Sequence, residues 1–200
     1  MVDGSSSDGT AEIVRVEFPQ IKLFETAYPD RALQMNLGAF EAKGDIFLFV
    51  HADMRLPTNA VAAIRTKIKA GYVGGGFKKK YEPSNGFFRI YEFFLNEFYL
   101  SLMRCLVGTN AMFVTREVFQ KMNGFRDHPF LEDLIFAECL KKHGHIAVIA
   151  DRVQVSSRRY FRRGILNQIA RNLLILIRYK WFHQDPAELR ELYEVKTSVN

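Results

Sequence analysis

Three acids and one basic run stand where they could act on a phosphorylated substrate. His51-Ala52-Asp53 follows directly on the apolar run Asp45-Ile-Phe-Leu-Phe-Val50. A carboxylate at the end of a buried strand is placed to hold a divalent cation, because Mg²⁺ and Mn²⁺ take oxygen ligands and bridge one or two carboxylates to substrate phosphates. Such a cation steadies the negative charge that builds on a leaving diphosphate. Taken alone, Asp53 serves equally well to start a turn. Glu132-Asp133 opens a helical stretch, where paired acids suit the positive end of the helix dipole. The chemical alternative is that Asp133 takes the proton of an attacking hydroxyl. With an ordinary carboxylate pKa of about 3.9 it is ionised at neutral pH without special tuning. Further on, Arg158-Arg159 and Arg162-Arg163 lie in a stretch from Ser156 to His183 that holds seven Arg and Lys and no acid. Arginine pairs can clamp phosphate bidentately.

The third acid is in the opening loop. Asp3-Gly4-Ser5-Ser6-Ser7-Asp8-Gly9-Thr10 packs two Asp-Gly pairs and four hydroxyls into eight residues. That is dense turn chemistry. Backbone N–H groups in such a loop, with a helix start behind them, attract phosphate, and Asp3 could accept hydrogen bonds from a base or ribose. A plain surface turn has the same composition.

Elements that position these residues follow from periodicity. Helices are predicted over 11–18, 31–43 (capped by Asp30 and ended by Gly44), 59–70, 87–107, 131–143 and 164–182. Strands are predicted over 21–26, 45–50, 72–81, 109–115 and 145–150. Alternating strands and helices argue for an α/β fold with a mostly parallel sheet and helices on both faces. Ligands then sit beyond the carboxyl ends of the strands. The chemistry is therefore expected in the loops after Val2, Val50 and Thr115, and near Asp133.

Composition narrows the partners. Two hundred residues with 48% hydrophobic and 25% charged side chains suit one globular domain. A net charge of +6 favours an anionic partner such as a nucleotide or phospholipid head groups. No nucleic-acid-binding motif accompanies the charge, so nucleic acid is not expected. Cys105 and Cys139 stand alone, which indicates neither a zinc site nor a disulfide framework and fits a reducing cytoplasm. No apolar signal segment follows Met1. Leu173 to Ile177 is far shorter than the ~20 residues of a membrane span. The basic stretch does carry an apolar stripe, Ile165, Ile169, Leu173, Ile177 and Trp181, which reads as core packing or as a membrane-surface element.

Taken in order, the motifs are specific. VDGSSSDGT, HAD after an apolar strand, and ED opening a helix resemble the family-2 glycosyltransferases of GT-A fold. The segments Arg31-Ala-Leu-Gln-Met-Asn-Leu-Gly38, GDIFLFVHADMRLP, Ala111-Met-Phe-Val-Thr-Arg116 and SSRRYFRRGIL resemble one subgroup of that family, the radical-SAM and selenodomain-associated transferases. The resemblance implies a Rossmann-type GT-A domain over residues 1–155, with a basic C-terminal helical segment, 156–200, packed on it. It implies transfer, inverting in stereochemistry, of a sugar from a nucleotide-diphosphate sugar to a hydroxyl acceptor of unknown identity. Asp3, with Gly4 and Ser5, matches the nucleotide-contacting loop, and Arg31 the approach to the donor diphosphate. Asp53 matches the last acid of the DxD motif and would bind Mg²⁺ or Mn²⁺. Asp133 matches the catalytic base, and Arg158 and Arg159 fall where the C-terminal region closes over the diphosphate. His51 replaces the first Asp that many relatives carry.

The family fold has a strand and helix before the opening loop, and here only Met1 and Val2 precede Asp3. The expectation is a chain lacking its first βα unit, its sheet edge exposed and its nucleotide affinity reduced. The alternative function is accordingly a non-catalytic GT-A-like fragment with weak or no nucleotide binding. A cytoplasmic location, peripheral to an anionic membrane surface, completes the expectations.

Overall fold

The computed structural model describes residues 1–128 and 130–194. Its centre is a five-stranded sheet in the order β3-β6-β5-β7-β4, comprising β3 (Ile46–Leu48), β4 (Met54–Arg55), β5 (Gly74–Glu82), β6 (Phe113–Thr115) and β7 (Ile146–Ser156). β1 (Val2–Asp3) and β2 (Phe24–Glu25) pair with each other as a separate parallel ladder. The α/β expectation holds, with one correction to the sheet: β5 and β7 are parallel, whereas β3–β6, β5–β6 and β4–β7 are antiparallel. The sheet is mixed because β6 comes back between β3 and β5 against both, after a long helical excursion from the end of β5. Gly74 and Gly75 make that crowding possible. A Cβ at Gly75 would collide with the Ala147 carbonyl of β7.

Helices flank the sheet: α1 (Thr10–Glu17), α2 (Arg31–Glu41), α3 (Ala60–Lys69), α4 (Gly86–Phe93), α5 (Arg116–Lys121) and α6 (Glu132–His143), then α7 (Arg158–Arg163), α8 (Ile165–Phe182) and α9 (Pro186–Glu194). Asp30 caps α2 as expected, its Oδ1 accepting from Leu33 N at 2.7 Å. The predicted helix 87–107 is α4 running on as a π-helix, Phe94–Leu102. The predicted strand 109–115 is shorter, because Gly108–Asn110 forms a 3₁₀ turn before β6. β7 runs well past Ala150. Residues 195–200 of the predicted C-terminal segment lie outside the described residues.

Two aromatic-rich clusters take up eight of the 18 phenylalanines. On one face of the sheet Phe47, Phe119, Phe125 and Phe136 pack with Val114 and Leu140, and Phe125 stacks on Phe136 at 4.0 Å between centroids. On the other, Phe77, Phe88 and Phe113 are fully buried beside Tyr81, Val153 and Tyr160. Adjacent residues of β6, Phe113 and Val114, point into opposite clusters, as a pleated strand requires.

The second half of β5 shows how the sheet meets the helices. β6 pairs only with Gly74 and Gly75, so the edge beyond them would be bare. Side chains complete it at alternate residues. Asn110 Nδ2 donates to Phe77 O at 2.8 Å, Asn96 bonds both Lys79 N and Lys79 O at 2.9 and 2.8 Å, and Glu92 Oε1 accepts from Tyr81 N at 2.7 Å. Buried backbone polar groups must be paired, and this explains the buried Glu92, Asn96 and Asn110. It also holds β5 in register with the π-helix and turns Lys79 inward.

Candidate active site

A cavity of about 370 Å³ opens where the β3–β4 turn, the start of α2, the 3₁₀ turn and the start of α6 meet. Its polar wall is made by Arg31, His51, Asp53, Glu132, Asp133 and Arg159. Four residues singled out in the sequence, Arg31, Asp53, Asp133 and Arg159, are thus brought together from positions far apart in the chain. Asp3, Gly4, Ser5 and Arg158 do not line the cavity. Asp3 is buried, and its carboxylate already accepts from Ser6 N at 2.8 Å and Ser6 Oγ at 2.6 Å. The Ser5 hydroxyl donates to Thr26 O, and Gly4 packs against Gln34, one turn along α2 from Arg31. Arg158 is exposed, with Nε donating to Ser156 Oγ at 3.2 Å.

Arg31 organises the polar wall. Its Nη1 lies 2.9 Å from Glu132 Oε1, an ion pair with a buried carboxylate, and its Nη2 lies 3.0 Å from His51 Nε2. The Glu132 contact is one of charge: Oε1 has no partner in hydrogen-bonding alignment. A guanidinium only donates, so His51 Nε2 is the acceptor and the ring proton sits on Nδ1. Burial, and then the Arg31 charge, push the His51 pKa below its ordinary value. Glu132 goes the other way: burial and then Asp133 raise it, against Arg31.

Asp133 sits in the first turn of α6. Its Oδ2 accepts from Gly108 N, and its Oδ1 from Leu134 N at 2.7 Å. Gly108 is the pivot. A Cβ there would fall 2.5 Å from His51 Nε2, 2.9 Å from Asp133 Oδ2 and 3.0 Å from Arg31 Nη2. Three side chains of the cavity wall converge on a backbone that only glycine leaves open. Nothing in the sequence marked Gly108 beyond a small polar break, Val107-Gly-Thr-Asn-Ala111, between apolar runs. Lys79 and Tyr99 were also missed. The one lay inside Lys78-Lys79-Lys80, which looks like a solvated run, and the other inside an aromatic helix that looks like core.

A divalent cation can be tested against these groups. Among the described residues no three His, Cys, Asp or Glu side chains cluster as a ready cage. The His51 Nε2 lone pair is committed to Arg31. Asp53 is exposed in the β3–β4 turn. One carboxylate facing a cavity fits the mode in which Mg²⁺ or Mn²⁺ arrives bound to substrate phosphates and keeps several waters.

The fold is that of the GT-A glycosyltransferases. The chain superimposes on the crystal structure of S. aureus TarS 1–349 with a TM-score of 0.63 at 14% identity, over 96% of this chain and 58% of that one. It superimposes on the mannosyltransferase PcManGT from Pyrobaculum calidifontis, in complex with GDP-Man and Mn²⁺, with a TM-score of 0.61 at 18% identity, over 96% and 57%. Residues 1–122 match the model of glycosyl transferase family 2, and the chain belongs to that family. No curated protein sequence matches it. The chain spans less than three-fifths of the length of these two solved structures.

Proposed function

We propose that the chain transfers a sugar, with inversion, from a nucleotide-diphosphate sugar to a hydroxyl acceptor. The observation that carries this reading is the convergence of Asp133, Arg31 and Asp53 on one cavity in a chain of family 2. Asp133 accepts the proton of the acceptor hydroxyl as its oxygen bonds the anomeric carbon. The bond to the diphosphate breaks, and its electron pair leaves with the nucleotide. The N–H groups of Gly108 and Leu134 each hold one carboxylate oxygen, which fixes the side chain and leaves each oxygen a further lone pair for the acceptor proton. Arg31 and Arg159 offer fixed positive charge to the diphosphate, while Asp3, Gly4 and Ser5 support the nucleotide side and Arg158 closes above it. A cation at Asp53 would neutralise charge on the departing diphosphate. The complex of PcManGT with GDP-Man and Mn²⁺ supports both the donor class and the metal.

The metal role is open to calorimetry. UDP or GDP is expected to bind more tightly with Mn²⁺ than with EDTA, and Asp53→Ala is expected to abolish that difference. Equal affinity with and without Mn²⁺ in the unmutated chain, or no loss in the variant, counts against it.

The proposal extends to where the chain works. No helix among the described residues is long and apolar enough to cross a membrane. α8 nevertheless leaves Leu166, Leu173, Trp181 and Phe182 exposed, and α4 with the π-helix exposes Ile90, Phe93, Phe98 and Leu102. Lys180 of α8 lies 5.6 Å over the Tyr99 ring of the π-helix. Apolar side chains in a basic setting suit an anionic bilayer in the cytoplasm, where each cation near the surface is worth ~1 kcal/mol. Co-sedimentation at low salt is expected to favour phosphatidylserine vesicles over neutral ones. Equal recovery from both would remove the membrane from the proposal.

A further inference from the structure

Lys79 is the buried charge that transfer, as described, leaves unused. Its side chain lies in the middle of β5 and is 3% exposed, yet it lines the cavity. Its neighbours in the run are paired: Lys78 Nζ donates to both carboxylate oxygens of Glu97 at 2.6 and 2.8 Å, and Lys80 Nζ lies 3.3 Å from Glu82. The Lys79 ammonium has only the Thr109 hydroxyl, at 2.9 Å, and no carboxylate within 4.0 Å among the described residues. An ammonium carries three donors, so two are unmet in a place where leaving them so is costly. The Tyr99 hydroxyl, on the same cavity, is also buried, beside the Cys105 side chain and with no partner in hydrogen-bonding alignment among the described residues.

These groups adjoin the carboxylate of Asp133. Asp133 Oδ2 accepts from Gly108 N, and Thr109, the next residue, accepts from Lys79. Consecutive Cα atoms are 3.8 Å apart, so an unmet cation and the proposed base flank the same 3₁₀ turn. Arg31 and Asp53, the groups proposed for the donor diphosphate, come from α2 and the β3–β4 turn. We propose that Lys79, Thr109 and Tyr99 form an anion subsite for the acceptor, which takes a carboxylate or phosphate carried close to the reacting hydroxyl. Only the word acceptor rests on the transfer reading; the anion site itself does not. Burial holds the Lys79 pKa down to about 8, with Asp133 acting in the opposite direction. A bound anion would relieve that cost and restore the full charge.

The shared chemistry is an anionic oxygen group, and its two sources, acceptor and donor diphosphate, are separable. Inorganic phosphate is titrated into the full chain by calorimetry, with and without saturating GDP and Mn²⁺. Expected are phosphate binding that survives GDP, a loss of at least tenfold in Lys79→Met, partial recovery in Lys79→Arg, and GDP affinity unchanged in both. Phosphate affinity unchanged in Lys79→Met overturns the site. Competition between phosphate and GDP, with a tenfold loss of GDP affinity in Lys79→Met, overturns its assignment to the acceptor and gives it to the donor. Should the unmutated chain bind phosphate through Lys79 but bind no nucleotide, the transfer reading fails and the anion site stands. A measurement on the unmutated chain guards against misfolded variants: the Lys79 side-chain NMR titration is expected to move to higher pH with phosphate, and an unmoved titration overturns the proposal.

Discussion

Asp133→Asn is expected to lower the turnover of a nucleotide sugar by at least about 10²-fold while leaving nucleotide affinity intact. A positioned general base contributes ~10²–10⁴ in rate. Asparagine keeps the shape of the side chain and an oxygen that can still accept from Gly108 N, so the turn and the start of α6 need not move. What it loses is the ability to take a proton. Because water can stand in for an unidentified hydroxyl acceptor, donor hydrolysis serves as the readout, with calorimetry of GDP and Mn²⁺ as the control. A loss smaller than about tenfold, well below the range for a base, would remove Asp133 from that role. A parallel loss of nucleotide affinity would show instead that the carboxylate supports the donor.

Much of this site was legible in the sequence because its parts are punctuation. Asp53 follows a continuous apolar run, and Glu132-Asp133 opens an apolar helix, so their places at a strand end and a helix start follow from periodicity alone. Arg31 follows its cap, Asp30. The residues that join these parts were not legible. Gly108 matters through the absence of a Cβ at a point where three distant side chains meet, and no spacing in the chain encodes that meeting. Lys79 sits between two lysines that point elsewhere, and its burial depends on Asn96 and Asn110 completing the edge of β5. The same long-range pairing explains the sheet. The apolar strand 45–50 looked parallel because both its faces are covered, but coverage does not determine direction, and β6 runs against it. β4, α5 and α9 are short or polar, and their existence depends on what they pack against.

Lys79→Met is expected to make the chain more stable at pH 7, by roughly 2 kcal/mol, even as it loses phosphate. Burial lowers the lysine pKa from about 10.5 to about 8. Each pH unit of such a gap is worth about 1.4 kcal/mol, so the buried charge costs roughly 3 kcal/mol. Methionine fills similar space without the charge, and leaving the Thr109 hydroxyl unpaired takes back about 1 kcal/mol. The sign follows from proton linkage. Between pH 8 and 10.5 the unfolded chain binds the lysine proton and the folded chain does not, so this group's contribution to stability rises with pH across that window. The advantage of the variant is therefore full below pH 8 and fades towards pH 10.5. Burial raises the pKa of Tyr81, Tyr91 and Tyr160, which destabilises both proteins alike at still higher pH and cancels in the difference. At pH 7 the gain corresponds to about 4–8 °C in Tm for a chain of this size. Thermal melts of both proteins from pH 7 to 10 test this. A variant less stable at pH 7, or a difference that stays flat with pH, would mean that the native fold already satisfies the ammonium. It would then have no unmet charge to offer an acceptor. The reverse result would leave a destabilising cation inside a cavity beside the proposed base, a charge the fold itself has no use for.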